Sequence, residues 1–358
     1  MTMIFDANNG ITMPDGTVQS TKGLPANGSG TPGNIAVASE TLSGALTFSD
    51  GSQMATGYSL GMRNRIINGA MEIWQRGTSF TLTAATTTYV ADRWYVNTAG
   101  GAGVVSQTGS VGAYSMRITG ASGITSGFFG QKIESYNIAD LASGTVTYTI
   151  RASSSVLTSL TWYARYPNAQ DNYTSITNIS NGTITINSTP TNYNFQISLP
   201  SGAANGLEVY FTFGSFTSGT LDITLAQLEK GSTATSFDYR PYGTELALCQ
   251  RYYYRVTTQA TFNPYGVGYN YGTTSSYIYI QFPVQMRSRP TGLEAASAGS
   301  YIIQSNGLNI TPTALAIGAA SSNIGCLVVA SATVSNGLVA GLIDQSGSSY
   351  LGFNGAEL

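Results

Sequence analysis

The fold class of this chain is decided by the stretch Leu207-Glu208-Val209-Tyr210-Phe211-Thr212-Phe213, in which apolar and polar residues alternate. Successive side chains of a β-strand point to opposite faces of a sheet, so this pattern predicts a strand with one face in a core and the other towards solvent. Runs with the same alternation lie on either side of it, separated by turn residues, at 145–150, 159–165, 182–187, 193–199 and 221–228. Strands at this spacing between Asn64 and about Tyr242 predict an antiparallel two-sheet sandwich of the jelly-roll type.

The composition favours an all-β chain. Only 9% of the 358 residues are charged, against roughly 25% in average globular proteins, and the sequence contains 42 Gly and 23 Tyr. Such a composition is typical of short strands joined by tight turns, and it excludes helical bundles and coiled coils. The sequence contains no histidine, which excludes catalysis by Ser-His-Asp or Cys-His groups.

Charge and hydropathy argue against two classes of partner. The formal net charge of −2 provides no cationic surface for a phosphate backbone, so no nucleic-acid partner is expected. No apolar run approaches the roughly 18 residues of a membrane-spanning helix, so no membrane insertion is expected. The first residues lack a basic stretch followed by an apolar one, so no signal peptide is predicted.

Residues 1–60 differ from the rest because they contain much Gly, Pro, Asn, Ser and Thr and few bulky residues. The segment 11–21 is repeated at 46–56, and each copy reads as a hairpin around an Asp-Gly turn. An isolated hairpin is marginally stable in water, so we expect these hairpins to associate with identical copies, as an extended arm for oligomerisation and attachment. The alternative is a flexible tail with accidental similarity. The residues predicted to make the trimer or attachment contacts are Ile11, Met13, Val18, Leu46, Phe48 and Met54.

The last third of the chain reads as a smaller β-sandwich. It opens just after Pro241 with the only helical pattern in the sequence, in which Leu246, Cys249 and Tyr253 fall at positions i, i+3 and i+7. Residues 277–284 then read as a strand, and alternation returns over 301–358. The predicted organisation is therefore an arm over 1–60, a jelly roll over 61–243 and a distal β domain over 244–358. Cys249 and Cys326 are expected to be buried and unpaired.

Several separated motifs resemble the carbohydrate-binding-module-like jelly rolls of bacteriophage tail fibre and receptor-binding proteins. The opening motif is Asn64-Arg65-Ile66-Ile67-Asn68-Gly69-Ala70-Met71-Glu72-Ile73-Trp74-Gln75-Arg76-Gly77, followed by Ala91-Asp92-Arg93-Trp94. The closing motifs are 226–231 and 234–241, and they lead directly into Glu245-Leu246-Ala247-Leu248-Cys249-Gln250-Arg251-Tyr252-Tyr253. A further segment, 282–291, is similar to the C-terminal domain of the same proteins.

The resemblance implies a homotrimeric virion protein at the end of a phage tail. Its jelly roll would contact a host surface polysaccharide, its arm would bind tail or baseplate proteins, and it would have no enzyme activity. Such a protein is assembled in the host cytoplasm, which agrees with the lack of a predicted signal peptide.

Aromatic residues are the candidates for glycan contact, because the apolar face of a sugar ring stacks on an aromatic ring. Trp162 and Tyr163 are adjacent in a predicted strand, so one ring should face the core and the other the solvent. The segment 262–272 reads as a binding loop that presents Tyr265, Tyr269, Asn270 and Tyr271. The alternative for this segment is that its tyrosines pack on a trimer neighbour. Trp74 and Trp94 are expected in the core.

No cofactor is expected apart from one structural calcium ion. Glu72 and Asp222 lie where jelly rolls of this shape hold a structural calcium between the first and last strands, and the alternative is that both simply face water. The densest basic cluster, Arg63, Arg65, Arg76 and Arg93, is expected to form ion pairs where the arm meets the jelly roll. The alternative is that it binds an anionic glycan.

Two other functions remain open. One is a structural fibre that decorates a capsid or spaces a baseplate and binds only virion proteins. The other is a glycan depolymerase, which would need two carboxylates about 5 to 9.5 Å apart, and no local motif suggests such a pair.

Overall fold

The computed structural model describes residues 62–319 and 321–358, together with five short strands nearer the start of the chain. Those five strands are β1 (Ile4–Asp6), β2 (Gly10–Thr12), β3 (Val18–Gln19), β4 (Leu46–Thr47) and β5 (Gln53–Met54). Strand β2 pairs antiparallel with β1 and β3, and β4 pairs antiparallel with β5. Ile11 lies opposite Gln19 and Leu46 opposite Met54, so the two repeats use the same pairing register. Met13 and Phe48 lie outside the described residues, and the attachment role of the arm stays a prediction.

The next twelve strands belong to the jelly roll. They are β6 (Ser79–Thr81), β7 (Thr88–Tyr89), β8 (Tyr95–Ala99), β9 (Val104–Thr108), β10 (Ser115–Thr119), β11 (Ser126–Ile133), β12 (Thr145–Ser154), β13 (Ser159–Ala169), β14 (Asn172–Thr185), β15 (Thr191–Ser198), β16 (Leu207–Phe213) and β17 (Thr220–Lys230). Short 3₁₀ helices cover Ser135–Asn137, Ala139–Leu141 and Ser201–Asn205.

These strands form two antiparallel six-stranded sheets, in the orders β15-β12-β17-β10-β9-β6 and β14-β13-β16-β11-β8-β7. Aromatic rings from both sheets meet in the core: Trp162 of one sheet stacks on Phe195 of the other with ring centroids 4.0 Å apart. Trp74 and Trp94 are buried at 8% and 0% exposure, as the sequence predicts. The prediction of an all-β chain with an antiparallel sandwich is confirmed.

The single α-helix of the described residues, α1 (Tyr242–Gln250), follows Pro241 and precedes a second group of strands. These are β18 (Tyr254–Thr257), β19 (Pro264–Tyr271), β20 (Ser275–Gln281), β21 (Gly292–Ala295), β22 (Tyr301–Ser305), β23 (Leu308–Ile310), β24 (Ala314–Ile317), β25 (Gly325–Ser331), β26 (Val339–Asp344) and β27 (Tyr350–Asn354), with a 3₁₀ turn at Ala298–Ser300. A three-stranded sheet, β18-β27-β21, shares a core with a seven-stranded sheet, β23-β22-β26-β19-β20-β25-β24. Cys249 and Cys326 are buried and unpaired, as expected.

Buried side chains hold the two groups of sheets together, and the described residues 62–319 and 321–358 belong to one compact unit. The guanidinium groups of Arg93 and Arg76 lie 3.6 Å from the ring centroids of Tyr252 and Tyr253, and both arginines pair with Glu357. The expectation that this basic cluster pairs where the arm meets the jelly roll is therefore wrong for Arg76 and Arg93. Glu357, Tyr252 and Tyr253 all follow α1 in sequence and belong to the C-terminal part of the chain.

The predicted loop at 262–272 is wrong in its conformation, because Pro264–Tyr271 is strand β19 in the middle of the seven-stranded sheet. The glycine content of this segment suggested a loop, but in the structure its glycines allow β19 to pair closely with β20. A Cβ atom on Gly268 would lie 1.8 Å from the carbonyl oxygen of Tyr277 in the adjacent strand, so only glycine fits. No helix among the described residues is long and apolar enough to cross a membrane.

Candidate functional site

A row of aromatic side chains crosses the outward face of the sheet that contains β13. Tyr163 on β13 stacks on Tyr210 of β16, with ring centroids 5.0 Å apart and an interplanar angle of 11°. Phe128 on β11 contacts Tyr210 edge-on at 6.4 Å, and it contacts Tyr95 of β8 at 6.1 Å. We call the half-buried rings of Tyr163, Tyr210 and Phe128 the aromatic face.

Strand register brings these residues together. Tyr163 lies directly opposite Tyr210, and Gly130 of β11 lies between Tyr210 and Tyr95. A Cβ atom on Gly130 would lie 2.5 Å from the Cβ of Tyr210 and 2.7 Å from the hydroxyl of Tyr95. The missing side chain at this position therefore leaves the room that both tyrosines occupy.

An open cleft of about 380 Å³ adjoins the aromatic face. Its lining combines the ring of Phe128 with the hydroxyl groups of Ser126, Thr161 and Thr212 and the amide of Asn97. Rings beside a few hydroxyl and amide groups can bind a sugar, because the ring packs on its C–H face while the polar groups fix its orientation.

The opposite end of the aromatic face is charged. Glu208 is 2% exposed and accepts hydrogen bonds from the Tyr95 hydroxyl and from Nε of Arg165. The guanidinium of Arg165 also lies 4.4 Å from the Tyr210 ring centroid. Burial, assisted by Glu208, raises the pKa of Tyr95 well above its ordinary value, so its hydroxyl stays a donor. This cluster holds Tyr210 in place from one side.

The structure separates the two adjacent aromatic residues that the sequence singled out. Tyr163 is half-buried on the aromatic face, whereas Trp162 is 7% exposed and stacks in the core. The expectation of one ring inward and one outward is confirmed. A glycan contact by Trp162 stays a prediction that its burial argues against.

The four candidates from 262–272 also divide between two environments. Tyr269 and Tyr271 are 49% and 59% exposed on the outward face of the seven-stranded sheet. Asn270 is 1% exposed, donates to Ser305 and to the carbonyl of Ser335, and accepts from Ser276. Tyr265 is half-buried, and its hydroxyl bonds that of Ser349 at 2.7 Å. Asn270 and Tyr265 therefore have structural partners, and Tyr269 and Tyr271 are the accessible pair.

The two candidate calcium ligands fit a joint cation site poorly. Both carboxylate oxygens of Asp222 accept hydrogen bonds from Arg117, at 2.7 and 2.8 Å. Burial and the neighbouring Glu245 raise the pKa of Glu72, which disfavours its charged form. Within 62–319 and 321–358, three or more His, Cys, Asp or Glu residues nowhere converge in a metal-binding group. Calcium at Glu72 and Asp222 stays a prediction.

Sequence analysis missed Tyr210, Phe128, Thr161 and Thr212. The alternation of β16 already placed Tyr210 and Thr212 on the side opposite the core. The sequence pattern does not reveal which strands pair. In the structure β16 pairs with both β13 and β11, and this pairing brings together residues 161–163, 210–212 and 128.

No protein-family model matches this chain, and no curated protein matches it. Parts of it are similar to solved structures. A CBM4 carbohydrate-binding module is 19% identical, with 46% of this chain and 98% of that chain covered and a TM-score of 0.33. A family 11 carbohydrate-binding module from Clostridium thermocellum, in complex with a β-1,3-1,4-mixed-linked tetrasaccharide, is 10% identical over 44% of this chain and 98% of its own, with a TM-score of 0.27. The enzymatically active domain of tailspike protein 4 from bacteriophage CBA120 is 16% identical over 47% of this chain and 22% of its own, with a TM-score of 0.31.

Proposed function

We propose that this chain is a non-catalytic glycan-binding protein that attaches a bacteriophage tail to a polysaccharide of the host surface. In this proposal the arm over 1–60 binds tail or baseplate proteins, and the jelly roll binds the glycan. The protein acts as a homotrimer located in the virion.

The observation that carries the proposal is the open cleft beside the stacked pair Tyr163 and Tyr210. The rings offer apolar contact area, and Thr161, Thr212 and Asn97 offer hydroxyl and amide groups next to it. The cleft residues are uncharged, while Arg165 and Glu208 satisfy each other at the far end. The chemistry of the cleft therefore favours a neutral sugar chain over an anionic one.

The absence of paired carboxylates on this sheet favours binding over hydrolysis. Glu208 is the only acidic residue in the six strands that form the aromatic face and cleft, all of them within the described part of the chain. Its carboxylate already accepts from Arg165 and Tyr95. A glycosidase needs two carboxyl groups that can reach one glycosidic bond.

Oligomerisation would allow stable attachment to the host even if each single glycan contact is weak. Once one copy is bound, the effective concentration of the others rises, and avidity can exceed the affinity of a single site by about 10² to 10⁴. Shallow open clefts are suited to this mode of attachment, because each site needs only modest affinity.

The proposal is tested by measuring binding of the purified full chain to host cells and to their isolated surface polysaccharide. We expect the double variant Tyr163→Ala/Tyr210→Ala to weaken the affinity of each site at least about tenfold, since it removes both stacking rings. The matched control is Tyr136→Ala, which removes an exposed tyrosine outside the aromatic face. Melting curves of all variants confirm that they fold.

The alternatives predict different results in the same experiment. If the double variant binds as tightly as the unmodified protein, the jelly-roll site is wrong. Loss of glycan affinity per site in Tyr269→Ala/Tyr271→Ala, with association of the copies intact, would instead place the glycan on the C-terminal domain. Absence of any glycan or cell binding favours the structural fibre. Release of reducing ends from the polysaccharide, abolished by an Asp or Glu substitution, identifies a depolymerase.

A further inference from the structure

The seven-stranded sheet of the C-terminal domain presents an uncovered apolar face. Its exposed large side chains are Val267, Tyr269, Tyr271, Tyr279 and Val339, at 68, 49, 59, 48 and 76% exposure. Register places them side by side: Val267 lies opposite Tyr279, and Tyr269 lies between Tyr277 and Val339. We call these residues, together with Tyr277, the neutral face. Contiguous exposed apolar surface of this kind marks an interaction site.

Charge is almost absent from this sheet. Asp344 is the only charged residue in its seven strands, all of which lie within the described residues, and it is 0% exposed. The carboxylate of Asp344 accepts hydrogen bonds from Thr258, Ser346 and Ser349, so it is satisfied internally. The aromatic face of the jelly roll, in contrast, has Arg165 and Glu208 at one end.

The edge strands of this sheet also favour association with another protein surface. Its outermost strands, β23 and β24, contain neither charged residues nor proline. Soluble proteins usually protect exposed edge strands with charges, proline or bulges, because bare edges promote association. A sheet without charges on its face or at its edges is suited to an assembled environment.

The chemistry of the neutral face favours protein over sugar. Val267 and Val339 are the most exposed of its residues, and aliphatic side chains offer a sugar neither a stacking plane nor a hydrogen bond. The ring of Tyr271 already stacks on that of Tyr277, with centroids 4.9 Å apart. A partner that covers this face must itself be free of charge, because a buried charge would have no counterpart there.

We propose that the neutral face packs against the same face of further copies of this chain. The identical surface meets the requirement for a charge-free partner without any other component. This inference goes beyond glycan binding, because it concerns how copies associate through the distal domain. It also means that Tyr269 and Tyr271 contact protein.

Cysteine accessibility in the full chain tests whether another copy covers the face. The native Cys249 and Cys326 are buried, so a thiol reagent reports on an introduced cysteine. We expect Val267→Cys to react at least tenfold more slowly than the control Val111→Cys, which replaces an 88% exposed valine of the jelly roll. Over an exposure long enough for the slowly reacting thiols to be modified, a short bismaleimide should link copies of Val267→Cys covalently and leave copies of Val111→Cys unlinked.

A second variant tests the contribution of the face to association. Sedimentation of Val267→Lys/Val339→Lys should show association weakened about a hundredfold relative to the unmodified chain, with Val111→Lys as control. Circular dichroism confirms folding, and if the double variant does not fold, the cysteine experiment decides. The affinity of each copy for glycan should be unchanged in this variant, which separates association through the neutral face from glycan binding.

Three results would overturn the inference. The first is a full chain that sediments as a monomer at all concentrations. The second is an oligomeric chain in which Val267→Cys reacts with the thiol reagent as fast as Val111→Cys and is not cross-linked by the bismaleimide. The third is loss of glycan binding in Tyr269→Ala/Tyr271→Ala with association intact.

Discussion

Asp92 is a buried carboxyl group whose protonation depends on the fold. It is 1% exposed and accepts hydrogen bonds from the backbone N–H and the side-chain amide of Gln75. Burial raises the pKa of Asp92 from 3.8 to about 7, although Arg76 and the bonds from Gln75 oppose the shift. Between these two values the folded chain holds a proton that the unfolded chain has released. The free energy of unfolding therefore falls as pH rises from about 4 to 7 and does not fall further through this group above pH 7.

The variant Asp92→Asn should abolish this pH dependence, because an amide stays neutral. We expect its free energy of unfolding to fall much less between pH 4 and 8 than that of the unmodified chain, which loses on the order of 4 kcal/mol through this group. Urea unfolding at a series of pH values measures the effect. Asp140→Asn, which neutralises a 58% exposed side chain, should retain the pH-dependent loss. If the free energy of unfolding falls equally steeply with pH in Asp92→Asn and in the unmodified chain, Asp92 is not the group responsible.

At the scale of a single element, strand β11 depends on the absence of a side chain at Gly130. A methyl group there would contact the Cβ of Tyr210 at 2.5 Å, and neither backbone can move away within a paired sheet. We expect Gly130→Ala to lower the free energy of unfolding by about 1–3 kcal/mol through overpacking. The displaced Tyr210 should also weaken glycan binding. Equilibrium denaturation and the polysaccharide assay measure the two effects.

Gly214 provides the matched control for that substitution. It directly follows the last residue of β16, and no atom beyond its own chain neighbours lies within 4 Å of the position that its Cβ would take. Gly214→Ala should therefore change the free energy of unfolding by less than about 0.5 kcal/mol. Equal losses in the two variants would mean that glycine flexibility, rather than the space at Gly130, determines the outcome.

Strands were predictable from the sequence wherever one face is buried, because burial on one side forces alternation. The predicted runs 145–150, 159–165 and 207–213 lie within β12, β13 and β16. Strand β19 was missed because its alternate positions are Gly266 and Gly268, which carry no apolar signal. Those glycines allow the backbone of β20 to approach closely. The need for glycine is set by this paired strand, so it is not visible in the local sequence.

The candidate site was predictable only in part, because it depends on pairing between strands that are distant in sequence. The inward and outward directions of Trp162 and Tyr163 follow from adjacency alone. The stacking of Tyr163 on Tyr210 and the nearby Phe128 requires the order β13-β16-β11, which joins residues more than 30 positions apart. Similarly, the arginines of the opening motif gave no indication that two of them bind Glu357 near the other end of the chain.

At the scale of the whole molecule, that buried ion pair couples the jelly roll to the C-terminal sheets. Arg93 has 1% side-chain exposure, pairs with Glu357, donates to the carbonyl of Lys132 and covers the ring of Tyr252. The carboxylate of Glu134 in the jelly roll accepts hydrogen bonds from Arg251 at 2.7 Å and from the hydroxyl of Tyr252 at 2.8 Å. These contacts should make both groups of sheets unfold together, as one calorimetric transition.

Glu357→Gln should break this cooperativity, because it leaves the buried guanidinium of Arg93 without a counter-charge. Removing one partner of a buried pair typically costs about 3–5 kcal/mol, so we expect a lower melting temperature and separate transitions for the jelly roll and the C-terminal domain. The control Asp222→Asn, which breaks the more exposed pair with Arg117, should keep a single transition. A single transition at the original temperature in Glu357→Gln would mean that the apolar contacts of Ile67, Ile73, Cys249 and Tyr252 hold the junction without the ion pair. In that case the jelly roll would still be held rigidly to the C-terminal sheets, but by packing rather than by charge.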